Sequence, residues 1–235
     1  MDPLTQGLLG ATAAANSRLA KAPRAVALGL GFLGGMAADL DVLIRSTSDP
    51  LLFLEFHRQF THSLVFIPFG GLLCGLVLHA LFAKRKGFSR WQSILFCTLG
   101  YATHALLDAC TTYGTQLYWP FSNERVAWNI MSIIDPLYTV PIAALLALSL
   151  SPQRHWLARI ALFWVFAYPA VGWWQRERAE SVVYQLAASR QHQVLSLSAK
   201  PTLANFLSSK VIYRTPPYFS FSSVLMVFTP KLINA

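Results

Sequence analysis

Five stretches of this chain run close to the length of a membrane-crossing helix with almost no charge: Ala25 to Ile44, Thr61 to Ala83, Trp91 to Cys110, Ile130 to Leu150 and Ile160 to Trp174. A helix that crosses a bilayer needs about 20 mostly apolar residues, and few soluble folds can bury that many such runs. The composition agrees: 54% of the 235 residues are hydrophobic, 12% are charged, and the mean hydropathy is +0.44. The expected fold is therefore all-α, a polytopic membrane bundle of about five spanning helices. The segment from Pro3 to Ser17 is too short to span comfortably, so it is expected to be a partial helix packed at one face.

The formal charge of +9 does not point to nucleic acid. The basic residues sit in short gaps between the apolar runs, and no stripe of basic and aromatic residues is present. Their distribution orients the bundle instead. One set of gaps carries Arg18, Lys21 and Arg24, then Lys84, Arg85, Lys86 and Arg90, then Arg154 and Arg159; the other carries only Arg45, Arg58 and Arg125. The positive-inside rule puts the first set in the cytoplasm. Cys74, Cys97 and Cys110 have no CxxC spacing and form neither a disulfide framework nor a thiolate metal site. The N-terminus lacks the basic region of a secretory signal and is expected to be retained.

Residues 1–175 are expected to form the membrane bundle and 176–235 a small extramembrane tail of α+β character. WQRERAESVVYQLAASRQ reads as an amphipathic helix, and KVIYR and YFSFSSVLMVF read as strands broken by Pro216 and Pro217. The chain has no internal repeat. Glycines 29, 31, 34 and 35, and again 70, 71 and 75, allow close helix approach, whether or not the interior holds a site.

Ionisable residues inside spans are rare because burying them is expensive, so their depth is informative. Asp39 and Asp41 fall near the end of the first span, His57 and His62 at the start of the second, His104 and Asp108 at the end of the third, and Asp135 near the start of the fourth. Because the helices alternate direction, all of these collect at one membrane level. His79 is about 25 Å away along its helix and is set aside. His104 and Asp108, four apart, share a helical face as paired metal ligands require. Asp39 and Asp41, two apart, both aim inward only where the helix ends or is distorted. Taken singly, each is ordinarily a solvated loop residue or helix end; together, three carboxylates and three histidines at one depth point to a metal site.

The ligand candidates are Asp39, Asp41, His57, His62, His104 and Asp108. Mixed imidazole and carboxylate donors suit one or two divalent ions, zinc, manganese or iron. Glu55 or Asp135 is the candidate base, and Arg58 and Arg125 are candidates to hold an anion such as phosphate.

With these residues in place, MDPLTQGLLGA, DLDVL, HRQFTHS, THALLDACTTYGTQLYWPFS and IDPLY together resemble the YdjM-like, LexA-regulated family of bacterial inner-membrane metal-dependent hydrolases, over roughly residues 1 to 175. The resemblance implies a multi-spanning inner-membrane protein with predicted hydrolase activity, and it puts the six ligand candidates on the family's motif positions. Many relatives carry histidine after the first threonine, where this chain has Gln6, so one ligand is replaced by a hydrogen-bonding group. The expected activity is attack of metal-activated water on a phosphoester or lipid-linked substrate at the non-cytoplasmic face, with membrane lipids as neighbours. The alternatives are an ion or solute transporter using the intramembrane His and Asp residues, and a non-catalytic protein with a structural metal.

Overall fold

The computed structural model describes residues 1–17, 23–45, 48–49, 52, 56–204, 207–216, 218–225 and 231–234. Among the described residues six α-helices come first: α1 (Pro3–Asn16), α2 (Arg24–Met36), α3 (Ile67–Leu78), α4 (Arg90–Cys110), α5 (Pro136–Leu148) and α6 (Leu157–Ser189). Strands β1 (Ser196–Pro201), β2 (Ser208–Thr215), β3 (Tyr218–Leu225) and β4 (Lys231–Asn234) follow as an antiparallel sheet in sequential order.

Local chemistry sets the helix ends. Asp2 caps α1 by accepting the Thr5 backbone N–H (3.0 Å), and Pro3 costs no hydrogen bond at the first helical position. α4 opens on a capping box in which Ser89 and Gln92 accept each other's backbone N–H groups. α2 tightens at its end into a 3-10 stretch over Ala37–Leu43. α3 is preceded by two 3-10 turns, Phe60–His62 and Leu64–Phe66, and runs on through a π turn to Lys86 before Gly87 (φ +79°) stops it.

Among the described residues, four helices are long and apolar enough to cross a membrane: Arg24–Leu43, Leu64–Lys86, Arg90–Cys110 and Leu157–Ser189. The run expected from Ile130 behaves differently. Residues 130–135 are irregular, with a bend at 133–134, and α5 begins only at Pro136, which suits the first helical position. Its 13 residues reach about 20 Å, short of a hydrocarbon core of about 30 Å.

α1 is more deeply buried than a helix packed at one face. It lies within the bundle and packs against α2, α4, α5 and α6. Glycine makes this possible. A methyl group on Gly100 would sit 2.1 Å from the Gly31 carbonyl oxygen, and one on Gly31 would sit 2.4 Å from that of Gly10, so α1, α2 and α4 meet backbone to backbone. Large apolar side chains such as Phe69, Leu81, Phe163 and Phe166 point outward instead.

The loop between α4 and α5 folds back over the end of the bundle. It is pinned by the Trp128 N–H on the Ala109 carbonyl (2.7 Å) and by short bridges between Thr115 and Val126 and between Thr111 and Met131. α6 continues unbroken past residue 175 into the tail, where Ala179, Val183 and Ala187 pack on Ala199, Val211, Tyr213 and Val224 of the sheet.

Candidate metal centre

The end of α2, the turn before α3 and the last turns of α4 converge on one point. Asp39, His62, His104 and Asp108 each bring one ligand atom there, all within 4.8 Å of one another. His62 Nε2 stands 3.4 Å from Asp39 Oδ1 and 3.3 Å from Asp108 Oδ2; His104 Nε2 stands 3.3 Å and 3.5 Å from the same two oxygens. Both histidines and Asp108 are fully or almost fully buried, whereas Asp39 is half-buried.

Each histidine is held so that its ligating nitrogen carries the lone pair. His104 Nδ1 lies 2.5 Å from the Gly35 carbonyl. A carbonyl only accepts, so the ring proton belongs on Nδ1 and Nε2 is left to bind a metal. For His62 the orienting group is Thr61, whose Oγ1 lies 2.9 Å from His62 Nδ1 and 3.0 Å from Asp41 Oδ2. A carboxylate only accepts, so the hydroxyl donates to Asp41 and takes the proton of His62 Nδ1. The Thr61 carbonyl in turn accepts the Tyr101 hydroxyl (2.7 Å).

The fit to a cation follows. His62 Nε2, His104 Nε2 and Asp108 Oδ2 are buried without a hydrogen-bond partner; Asp108 Oδ2 has the Arg58 guanidinium at 3.3 Å, whereas the two imidazole nitrogens face only the cluster, where a cation would satisfy them. Two imidazole nitrogens and two carboxylate oxygens are a donor set that could hold a metal ion. Asp108 is further braced by the Gln6 amide on Oδ1 (3.0 Å), by the Met1 α-amino group, and by Arg58 Nε at 3.3 Å from Oδ2.

The remaining sequence candidates take other places. Asp41 and His57 stand one layer behind the four: Asp41 accepts from Thr61 and from the Arg58 backbone N–H (3.0 Å), and its Oδ1 is 2.9 Å from His57 Nδ1. The 3-10 stretch explains how Asp39 and Asp41 divide the work. At about 3.0 residues per turn, positions two apart diverge by about 120°, not the roughly 160° of an α-helix, so one faces the cluster and the other its supports.

Arg58 is buried with φ +60°, a strained backbone for a non-glycine residue. It is held there by Gln116 N–H and the Thr115 hydroxyl, both donating to its carbonyl. Its guanidinium and that of Arg125 lie over the Tyr113 ring, at 4.8 Å and 5.1 Å. Asp135 lies outside the group of four, with its carboxylate accepting the Tyr168 hydroxyl at 2.8 Å. Glu55 falls outside the described residues. His79, at the far end of α3, faces Ser93 (3.1 Å). Neither Thr61 nor Gly35 carries an orienting role that the sequence makes visible; the FTHS motif places a hydroxyl beside His62, but a carbonyl such as that of Gly35 leaves no trace in residue type.

The model of the YdjM inner membrane protein family matches residues 1–179. The inner membrane protein YbcI of Escherichia coli (strain K12) is 32% identical over 155 residues, which cover 62% of this chain and 82% of YbcI. The uncharacterized protein YfhP of Bacillus subtilis (strain 168) is 26% identical over 115 residues, 49% of this chain; the chain spans only 34% of YfhP's length. No solved structure matches the chain.

Proposed function

The chain belongs to the YdjM inner membrane protein family, and on that footing we propose that it is a metal-dependent hydrolase acting on phosphoesters at the periplasmic face of the inner membrane. The observation that carries the reading is the convergence of His62 Nε2, His104 Nε2 and Asp108 Oδ2, all buried without hydrogen-bond partners, beside Asp39. A divalent ion bound there supplies a Lewis acid and a water acidic enough to attack near neutral pH.

The chain's own residues do the rest. Asp108 and the two histidines are locked by Gln6, Arg58, Thr61 and Gly35, so the ligand set is preorganised. Arg58 and Arg125, lying over Tyr113, put positive charge beside the cluster where a phosphate would be held. In the net reaction the oxygen of water adds to phosphorus, the ester P–O bond breaks, and the departing alkoxide takes the proton.

Asp39 favours catalysis over a purely structural site. It is the half-buried member of the four and lines the neighbouring cavity, which leaves the cluster approachable from that side, whereas structural sites are closed. A transport pathway would spread polar groups across several depths, whereas these gather at one end. The periplasmic assignment is supported by the loop charges.

The test is metal content of the detergent-purified protein beside His62→Ala and His104→Ala, followed by hydrolysis of a water-soluble aryl phosphate. We expect near-stoichiometric metal and turnover in the wild type, with both lost in the variants. Equal, near-zero metal in all three would overturn the reading.

A further inference from the structure

A cavity of about 900 Å³ lies between α2 and α3, and its two ends differ in chemistry. At one end it is walled by Asp39, Asp41, His57 and Arg58, directly beside the four-residue cluster. Below that the walls are almost wholly apolar. They are two stripes at helical spacing, Leu33, Met36 and Leu40 from α2 and its extension, and Gly70, Cys74 and Val77 from α3. The slot exists because α2 spends its contacts on α1 and α4 far more than on α3.

Its depth is informative. From Phe66 to Leu78 the wall descends about 18 Å at about 1.5 Å per residue, close to the roughly 15 Å that one leaflet contributes to a hydrocarbon core of about 30 Å. Leu40 and Leu73 at the rim are 62% and 65% exposed, so the slot's edges face the surroundings of α2 and α3, which in a membrane are lipid. A long apolar chamber with a few convergent polar groups at one end is the form of a site for an amphiphile.

We propose that the substrate is a membrane phospholipid, entering sideways from the bilayer with one acyl chain in the α2–α3 slot and its phosphate beside Arg58 at the cluster. The chemistry at the head rests on the hydrolase reading above; the seating of the chain does not. The apolar walls match the acyl chain, the guanidinium matches the anionic head, and the depth of the slot matches one leaflet.

The test uses the full chain in phosphatidylcholine nanodiscs doped with a phosphatidic acid that carries a diazirine on its acyl chain. After illumination, label on the slot residues Cys74 and Val77 is expected to exceed label on Phe69, Leu72 and Leu76 of the same helix several-fold. Val77→Trp and, from the opposite wall, Leu40→Trp should each remove most of the slot label, whereas Leu72→Trp leaves it. A diazirine diacylglycerol without phosphate should label the slot several-fold less. Uniform label around α3, indifference to both filling substitutions, or equal label without the phosphate would each overturn the proposal. Labelling needs no turnover, so a protein that loses metal or hydrolyses nothing can still give the slot label. Conversely, loss of the slot label leaves hydrolysis of the water-soluble ester untouched, and the two readings fail separately.

Discussion

The proton on each cluster histidine is decided by a neighbour that is not itself a ligand. For His62 that neighbour is the Thr61 hydroxyl, 2.9 Å from Nδ1, with Asp41 Oδ2 beside it at 3.3 Å from the same nitrogen. Thr61→Val keeps the shape and removes the relay, so metal affinity should fall about 10- to 100-fold, with Thr61→Ser restoring most of it; competition against a chelator measures both. Asp135 offers a separate test by pH. Burial pushes its carboxyl up from the ordinary value, against the pull of the Tyr168 hydroxyl. A carboxyl whose native pKa is raised contributes stability that is fully present below its unfolded value and lost as pH rises through the native value. Thermal stability in detergent should therefore decline with rising pH across that window, more in the wild type than in Asp135→Asn. Depth and residue type made the six ligand candidates legible in the sequence. What separates the four that meet at one point from Asp41 and His57 is side-chain direction, set by the 3-10 turn, and a pattern of letters does not carry it.

At the scale of elements, glycine contacts set the site's geometry. Gly31 and Gly35 lie one turn apart on α2, Gly100 and His104 one turn apart on α4, and the Gly35 carbonyl orients His104. Gly100→Leu forces a side chain into the Gly31 carbonyl and should part α2 from α4. We expect a stability loss at or beyond the roughly 1–3 kcal/mol of ordinary overpacking, together with loss of bound metal, read by thermal unfolding and metal analysis. Leu72→Val on the outer face of α3 should change neither. The long spans were legible because apolar length alone defines them. α5 is shorter than the apolar run suggests because residues 130–135 are irregular, held as loop by backbone bonds such as that from Ile130 N–H to the Cys110 carbonyl. The depth of α1 was missed because a short run of small residues looks the same whether it packs at an edge or inside a bundle.

For the whole molecule, α6 joins the membrane bundle to the tail. Its 33 residues run about 50 Å, so roughly 20 Å stands beyond a hydrocarbon core of about 30 Å. On that outer part Arg176 donates to the Trp128 carbonyl (3.0 Å) and to Glu180 (2.9 Å), and Glu180 accepts the Ala199 N–H (3.2 Å), linking the loop over the bundle to the sheet. The sequence marks residue 175 by a jump in charge; that jump falls within one unbroken helix. Loop charge gives the topology its own test: reporters inserted in the Lys84–Arg90 turn should report cytoplasm, and reporters after Arg190 the opposite side. The reverse result would move the cluster to the cytoplasmic face without dispersing it.

The glycine-to-glycine meeting of α1, α2 and α4 has a consequence for how the chain can vary. Where two backbones touch, no side chain is left to repack and absorb a change, so the positions that hold the cluster in register have one acceptable letter each. The lipid-facing positions accept almost any apolar one. Tolerance to substitution is therefore divided by helix face, and the residues least free to change include several outside the His/Asp cluster.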